Sequence, residues 1–223
     1  RAIEYYEKSL DIKLKTLSSE HPDVAMSYNN LGSAYGSKGE YDRAIEYYEK
    51  SLDIKLKTLS SEHPEVAGLY NNIGISYNEK GEYDRAIEYH KKSLDIWLKT
   101  LGSEHPDVAS LYNNLGSVYY SKGEYDRAIE YFEKSLDIKL NILGSEHPDV
   151  AMSYNNLGSV YYSKGEYDKA IEYHKKSLDI QLKTLGSEHP DVATSYNNLG
   201  IVYYSKGEYD RAIEYYEKSL NIK

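Results

Sequence analysis

The dipeptide His-Pro stands at residues 21–22, 63–64, 105–106, 147–148 and 189–190, and each step is 42 residues. No other feature limits the possible folds so tightly. All five prolines of the chain sit in this dipeptide, and segments 105–146 and 147–188 differ at only 8 of 42 positions. A fixed period of this length marks an array in which each unit buries its apolar face only by stacking on its neighbours. The expected organisation is a partial unit at 1–20, then units at 21–62, 63–104, 105–146, 147–188 and 189–223. The last has a shortened second half, and together they are expected to form one solenoid domain.

Each unit carries two helical stretches. The first is expected over about 22–37, with Pro22 at the first helical position, where a missing N–H costs nothing, and Asp23 in the first turn. At 100° per residue, Val24, Tyr28, Leu31 and Tyr35 form one stripe, with Ala25 and Gly32 beside it. Gly39 supplies a stop. The second helix is expected over about 41–59, with Ala44, Ile45, Tyr48, Leu52, Leu56 and Leu59 as its apolar face. Glu46 with Lys50, and Asp53 with Lys57, are i,i+4 pairs on the opposite side. Residues 1–17 read as an orphan second helix. Two helices and two short turns make an antiparallel hairpin.

The spacing of Tyr28, Leu31-Gly32, Tyr35, Gly39, Ala44 and Tyr48 resembles the tetratricopeptide signature, and the likeness runs through the whole chain. The 42-residue unit, with its "HPDVA" and "NNLG" stretches, is similar to the kinesin light chain type. It departs from the common shorter unit, which often has a proline near the end of the second helix, where Leu56 stands here. The resemblance implies an all-α fold, a right-handed superhelix (α-solenoid) of stacked antiparallel hairpins. It also implies a noncatalytic scaffold that binds an extended partner peptide on its concave face, as kinesin light chain repeats bind cargo-adaptor peptides.

Composition narrows the function further. A net charge of −9 argues against nucleic acid and anionic membranes as partners. With no cysteine there are no disulfides or thiolate metal sites, and no apolar run approaches a membrane span. A cytoplasmic protein is expected, and the start without methionine, inside a motif, reads as a piece of a longer chain. Among 223 residues there are 27 tyrosines but one phenylalanine and one tryptophan, so tyrosine takes the bulky core role.

The recurring Ser-Glu-His-Pro-Asp stretch (Ser103, Glu104, His105 and Asp107 in one copy) invites a catalytic reading. Five copies in a short connector fit a helix-capping turn better. Helices stacked about 8–10 Å apart also keep successive histidines from sharing one metal ion. No catalytic residue, metal or cofactor is expected.

The adjacent asparagines are harder to place, because each costs up to about 0.7 kcal/mol relative to alanine inside a helix. With Tyr28 at 0°, Asn29 falls near 100° and Asn30 near 200°, bordering the face opposite the hairpin core. The expected groove is two ladders, Asn29, Asn71, Asn113, Asn155, Asn197 and Asn30, Asn72, Asn114, Asn156, Asn198, with an aromatic strip of Tyr120, Tyr162 and Tyr204. The carboxamides either hold the backbone of a ligand or bridge neighbouring helices. The face carries no Lys or Arg apart from its rim, so acidic C-terminal tails are not expected as ligands. The alternative function is an architectural spacer or a head-to-tail self-associating array. It is suggested by residues 1–13 and 211–223, which differ only at Asp11 against Asn221, and by the absence of a polar capping helix.

Overall fold

The computed structural model describes residues 2–222. Among these, every regular element is a helix: α1 (Ala2–Thr16), α2 (Pro22–Ser37), α3 (Tyr41–Thr58), α4 (Pro64–Glu79), α5 (Tyr83–Leu101), α6 (Pro106–Ser121), α7 (Tyr125–Leu143), α8 (Pro148–Ser163), α9 (Tyr167–Leu185), α10 (Pro190–Lys206) and α11 (Tyr209–Leu220). The chain forms two compact units that meet in sequence between Ser103 and Glu104. In the first, α2 pairs with α3 and α4 with α5, while α1 lies on α2 and α3 on α4. In the second, the hairpins are α6/α7, α8/α9 and α10/α11, with α7 on α8 and α9 on α10.

The turn histidines start the first helices. In each, Nδ1 of the histidine accepts the N–H two residues on, at 3.1–3.2 Å from Asp23, Glu65, Asp107, Asp149 and Asp191. The following proline then enters the helix without losing a hydrogen bond. Between first and second helix the chain turns at a glycine with φ near +80° (Gly39, Gly81, Gly123, Gly165), which other residues adopt only at a cost.

The predicted stripe holds. Val24, Leu31, Ile73, Leu115, Leu157 and Leu199 are fully buried, each contributing about 1.5–3 kcal/mol by leaving water. The second helix is turned slightly from the predicted face. Leu56 is 41% exposed, whereas Ser51, Ile54 and Lys55 are buried, because α3 is also covered by the first helix of the next repeat.

The glycine of each Asn-Asn-Leu/Ile-Gly stretch admits one ring from the second helix. A Cβ on Gly32, Gly74, Gly116, Gly158 or Gly200 would stand 2.6–2.9 Å from a ring atom of Tyr48, His90, Phe132, His174 or Tyr216 respectively. Gly68, on the same helix as Gly74, has open space instead. Gly74→Ala is expected to lower stability by about 1–3 kcal/mol through overpacking. Gly68→Ala should raise it by about 0.5–1 kcal/mol through helix propensity. Urea midpoints of the two variants compare these directly, and equal shifts would refute the ring-contact account.

The tyrosines form stacks of their own. Tyr35 and Tyr47 lie nearly parallel with centroids 5.4 Å apart, and the Arg43 guanidinium sits 5.2 Å over Tyr35. The same stack recurs as Tyr77/Tyr89, Tyr119/Tyr131, Tyr161/Tyr173 and Tyr203/Tyr215, so tyrosine fills the space beside each hairpin contact.

Candidate protein-binding face

The first helices turn one side to their hairpin partners and leave the other to solvent. On the solvent side of the first unit, Met26 is 54% and Ile75 41% exposed. In the second unit, Tyr120, Met152, Ile201 and Tyr204 are likewise exposed. Exposed apolar side chains interleaved with amides suit contact with another protein better than they suit chemistry. Among the described residues no three His, Asp or Glu side chains converge to hold a metal ion.

The asparagines border this face, half-buried except for Asn197, which is exposed. The structure joins the two predicted rows to each other. Asn72 Nδ2 donates to Asn29 Oδ1 at 3.4 Å, Asn156 to Asn113 at 3.1 Å, and Asn198 to Asn155 at 3.2 Å. The first asparagine of one repeat thus receives the second asparagine of the next, and the pairs tie neighbouring first helices together. Asn30 stands apart, lining a cavity of about 870 Å³ with Ile3, Tyr6, Glu7 and Ser33. Asn71 and Asn114 are half-buried within α4 and α6.

His174 adds to the network, its Nδ1 lying 3.1 Å from Asn155 Oδ1. Burial holds the imidazole neutral, with its pKa lowered to about 4. A neutral ring can still donate its Nδ1 proton to the carboxamide oxygen. His90 is lowered to about 4 by the same desolvation, and its buried Nδ1 has no hydrogen-bond partner.

Tyr120, Tyr162 and Tyr204 occupy the last turns of α6, α8 and α10. Tyr120 and Tyr162 are fixed at their hydroxyls, which hydrogen-bond Ser163 at 3.0 Å and Ser205 at 3.2 Å in the next repeat. The corresponding place in α2 is Gly36, and there a cavity of about 320 Å³ opens beside Tyr48, Ile75 and Glu79.

One expectation about this face needs correction. A cation does reach it: Lys55, from a second helix, lines a cavity of about 270 Å³ with Met26, Asn29, Gly68, Leu69 and Asn72, and ion-pairs with Glu65. Angular placement on the first helix alone could not find it. A usable signal lay in the sequence, since the row Lys13, Lys55, Trp97, Lys139, Gln181 varies between otherwise near-identical copies. Elsewhere in this row, Lys13 Nζ donates to Ser27 at 2.9 Å and Lys139 Nζ to Ser153 at 3.1 Å, while Ser195 donates to Gln181 Oε1 at 2.5 Å. Burial pushes the Lys139 ammonium below its ordinary pKa.

A tetratricopeptide repeat model matches residues 1–57, 65–141, 107–183 and 149–223. Together with the stacked hairpins, this places the chain in the tetratricopeptide repeat family. The crystal structure of BtubC (BKLC) from P. vanneervenii is similar to it with a TM-score of 0.84 at 25% identity, covering 100% of this chain and 89% of that one. A putative kinesin light chain from Podosopora anserina, with nearly identical TPR-like repeats, gives 0.80 at 32% identity, covering 91% and 96%. The Rap conjugation gene regulator of plasmid pLS20, solved with the Phr* peptide, shares the fold with a TM-score of 0.65 at 23% identity, covering 88% and 52%. No curated protein sequence matches the chain. Among the described residues, no helix is long and apolar enough to cross a membrane.

Proposed function

We propose that this chain is a noncatalytic scaffold whose first-helix face, concave in the tetratricopeptide arrangement, binds an extended, largely uncharged segment of a partner protein. The carrying observation is the exposed apolar side chains set between amide groups on this face of each unit, Met26 and Ile75 in the first and Tyr120, Met152, Ile201 and Tyr204 in the second. The Asn–Asn pairs suit this role. They hold the carboxamides in place between repeats, and each pair uses one oxygen and one N–H, leaving further donors for a ligand backbone. A protein of the same fold, the Rap regulator, was solved with a peptide bound. The acidic, cysteine-free composition suits a cytoplasmic setting.

The test is the double substitution Asn114→Ala and Asn156→Ala. Binding to peptides selected from a random library by the parent chain should fall about tenfold, which is the loss of one or two hydrogen bonds at about 1 kcal/mol each. Stability should change little, because each alanine regains about 0.6 kcal/mol of helix propensity, which offsets the Asn156–Asn113 hydrogen bond that is lost. Unchanged binding by a folded double variant would overturn the groove assignment.

A further inference from the structure

We infer that the strip of Tyr120, Tyr162 and Tyr204 in the second unit receives a proline-rich segment in the polyproline II conformation. This rests on the reading of the first-helix face as a protein-binding surface, and it names the chemistry of what binds there.

Geometry is the first argument. Each strip tyrosine stands against a second ring, Tyr120 with Tyr125, Tyr162 with Tyr167 and Tyr204 with Tyr209, at centroid distances of 6.0, 6.0 and 5.4 Å. The pairs repeat once per first helix, and successive first helices stand close enough for Tyr120 to bond Ser163 and Tyr162 to bond Ser205, a repeat on the order of 10 Å. A polyproline II segment rises about 3.1 Å per residue with three residues per turn, so residues i, i+3 and i+6 return to one face about every 9 Å. In a β-strand the same advance of three residues turns the side chain to the opposite face. Only the former presents like side chains to successive tyrosine pairs. The hydroxyl bonds to Ser163 and Ser205 hold two of the rings before any ligand arrives, which limits the ordering cost of binding.

Hydrogen-bond capacity gives a second argument. Asn113 Oδ1 already accepts from Asn156, and Asn155 Oδ1 from Asn198 and His174. What these carboxamides still offer is mainly N–H. Proline supplies a carbonyl acceptor and no backbone donor, so a proline-rich segment matches the N–H groups that Asn113 and Asn155 still offer.

Charge is the third. The cations beside the strip are committed to ion pairs: Lys164 with Asp126 and Glu166, Lys206 with Asp168 and Glu208, Arg127 with Glu124, and Arg211 with Glu208, all at 2.6–2.9 Å. A rim so neutralised suits an uncharged segment, and aromatic rings favour proline, whose polyproline II form is already populated when free. The first unit, with Gly36 and Asn78 in place of these tyrosines, is not part of the assignment.

The experiment measures fluorescence anisotropy of the full chain with labelled nona-proline, against a labelled glycine–serine nonamer. Saturable binding of nona-proline alone is expected. Tyr162→Ala with Tyr204→Ala should weaken it about tenfold or more, while Tyr162→Phe with Tyr204→Phe, which keeps the rings, should stay within about threefold. Circular dichroism melts establish that the variants fold, and the phenylalanine pair remains informative if the alanine pair does not. Nona-proline binding no better than the glycine–serine peptide, or indifference to loss of the rings, overturns the inference. If the random library instead yields proline-free peptides that depend on Asn114 and Asn156, the scaffold reading stands and the polyproline assignment falls. If neither library nor nona-proline binds, both fall.

Discussion

Lowering the pH from 7 to 5 should weaken the fold by about 2 kcal/mol for each of His90 and His174. Both are buried, and desolvation lowers each pKa from 6.5 to about 4. The sign follows from proton binding. Between about 4 and 6.5 the unfolded chain takes up protons that the folded chain refuses, so stability falls as the solution becomes more acidic. The contribution is complete above about pH 6.5, drains between 6.5 and 4, and is gone below the folded value. Carboxylates such as Glu124, Glu166 and Glu208, held low chiefly by hydrogen bonds to Lys122, Lys164 and Lys206, add their own loss at lower pH. The window above about pH 5 therefore isolates the histidines. Replacing both by phenylalanine, which Phe132 shows to fit the same place against a glycine, should remove most of the dependence there. His90→Phe should also stabilise at neutral pH more than His174→Phe. The former removes a buried nitrogen without a partner, and the latter removes the contact to Asn155. Urea midpoints from pH 5 to 8 measure both effects, and parallel curves for the parent and the double variant would refute the assignment.

Much of the fold was legible because one period repeats and its punctuation is chemical. Pro22 and Gly39 fixed the ends of the first helix at 22 and 37, where the structure has them. The stripe of Val24, Leu31 and Tyr35 named the hairpin contact. The second helix was less legible, since one stripe on a helical wheel cannot represent a helix that packs against two others. That is why Leu56 is exposed, and why Lys55 is buried and reaches the solvent-facing side of the first helices. The asparagines were legible in position but not in partner. Their angles put them at the border of the open face, whereas the bond from Asn72 to Asn29 joins residues 43 apart and depends on how successive helices are offset. The roles of His90 and His174 were hidden for a related reason. Nothing local marks them as buried, and only their alignment with Tyr48, Phe132 and Tyr216 at the same place in the period does so.

Phe132→Ala should cost about 3–5 kcal/mol, the range for deleting a buried aromatic side chain. Phe132 is 3% exposed and its ring lies against Gly116, where no side chain can grow into the space. The backbone of α6 is carried by its own hydrogen bonds and cannot easily collapse onto α7, so most of the cavity persists. Phe132→Tyr should cost less than about 1 kcal/mol. The chain holds tyrosine at this place in Tyr48 and Tyr216, and the Tyr48 hydroxyl finds Ser33, whose counterpart beside Phe132 is Ser117. The damage from alanine should also be local, because stability in a stacked array is a sum of unit and neighbour terms. Amide exchange should rise first in α6 and α7, then in α8, which packs on α7. Uniform loss of protection across all helices of the second unit would mean that its hairpins unfold together, and the neighbour-by-neighbour account would be wrong.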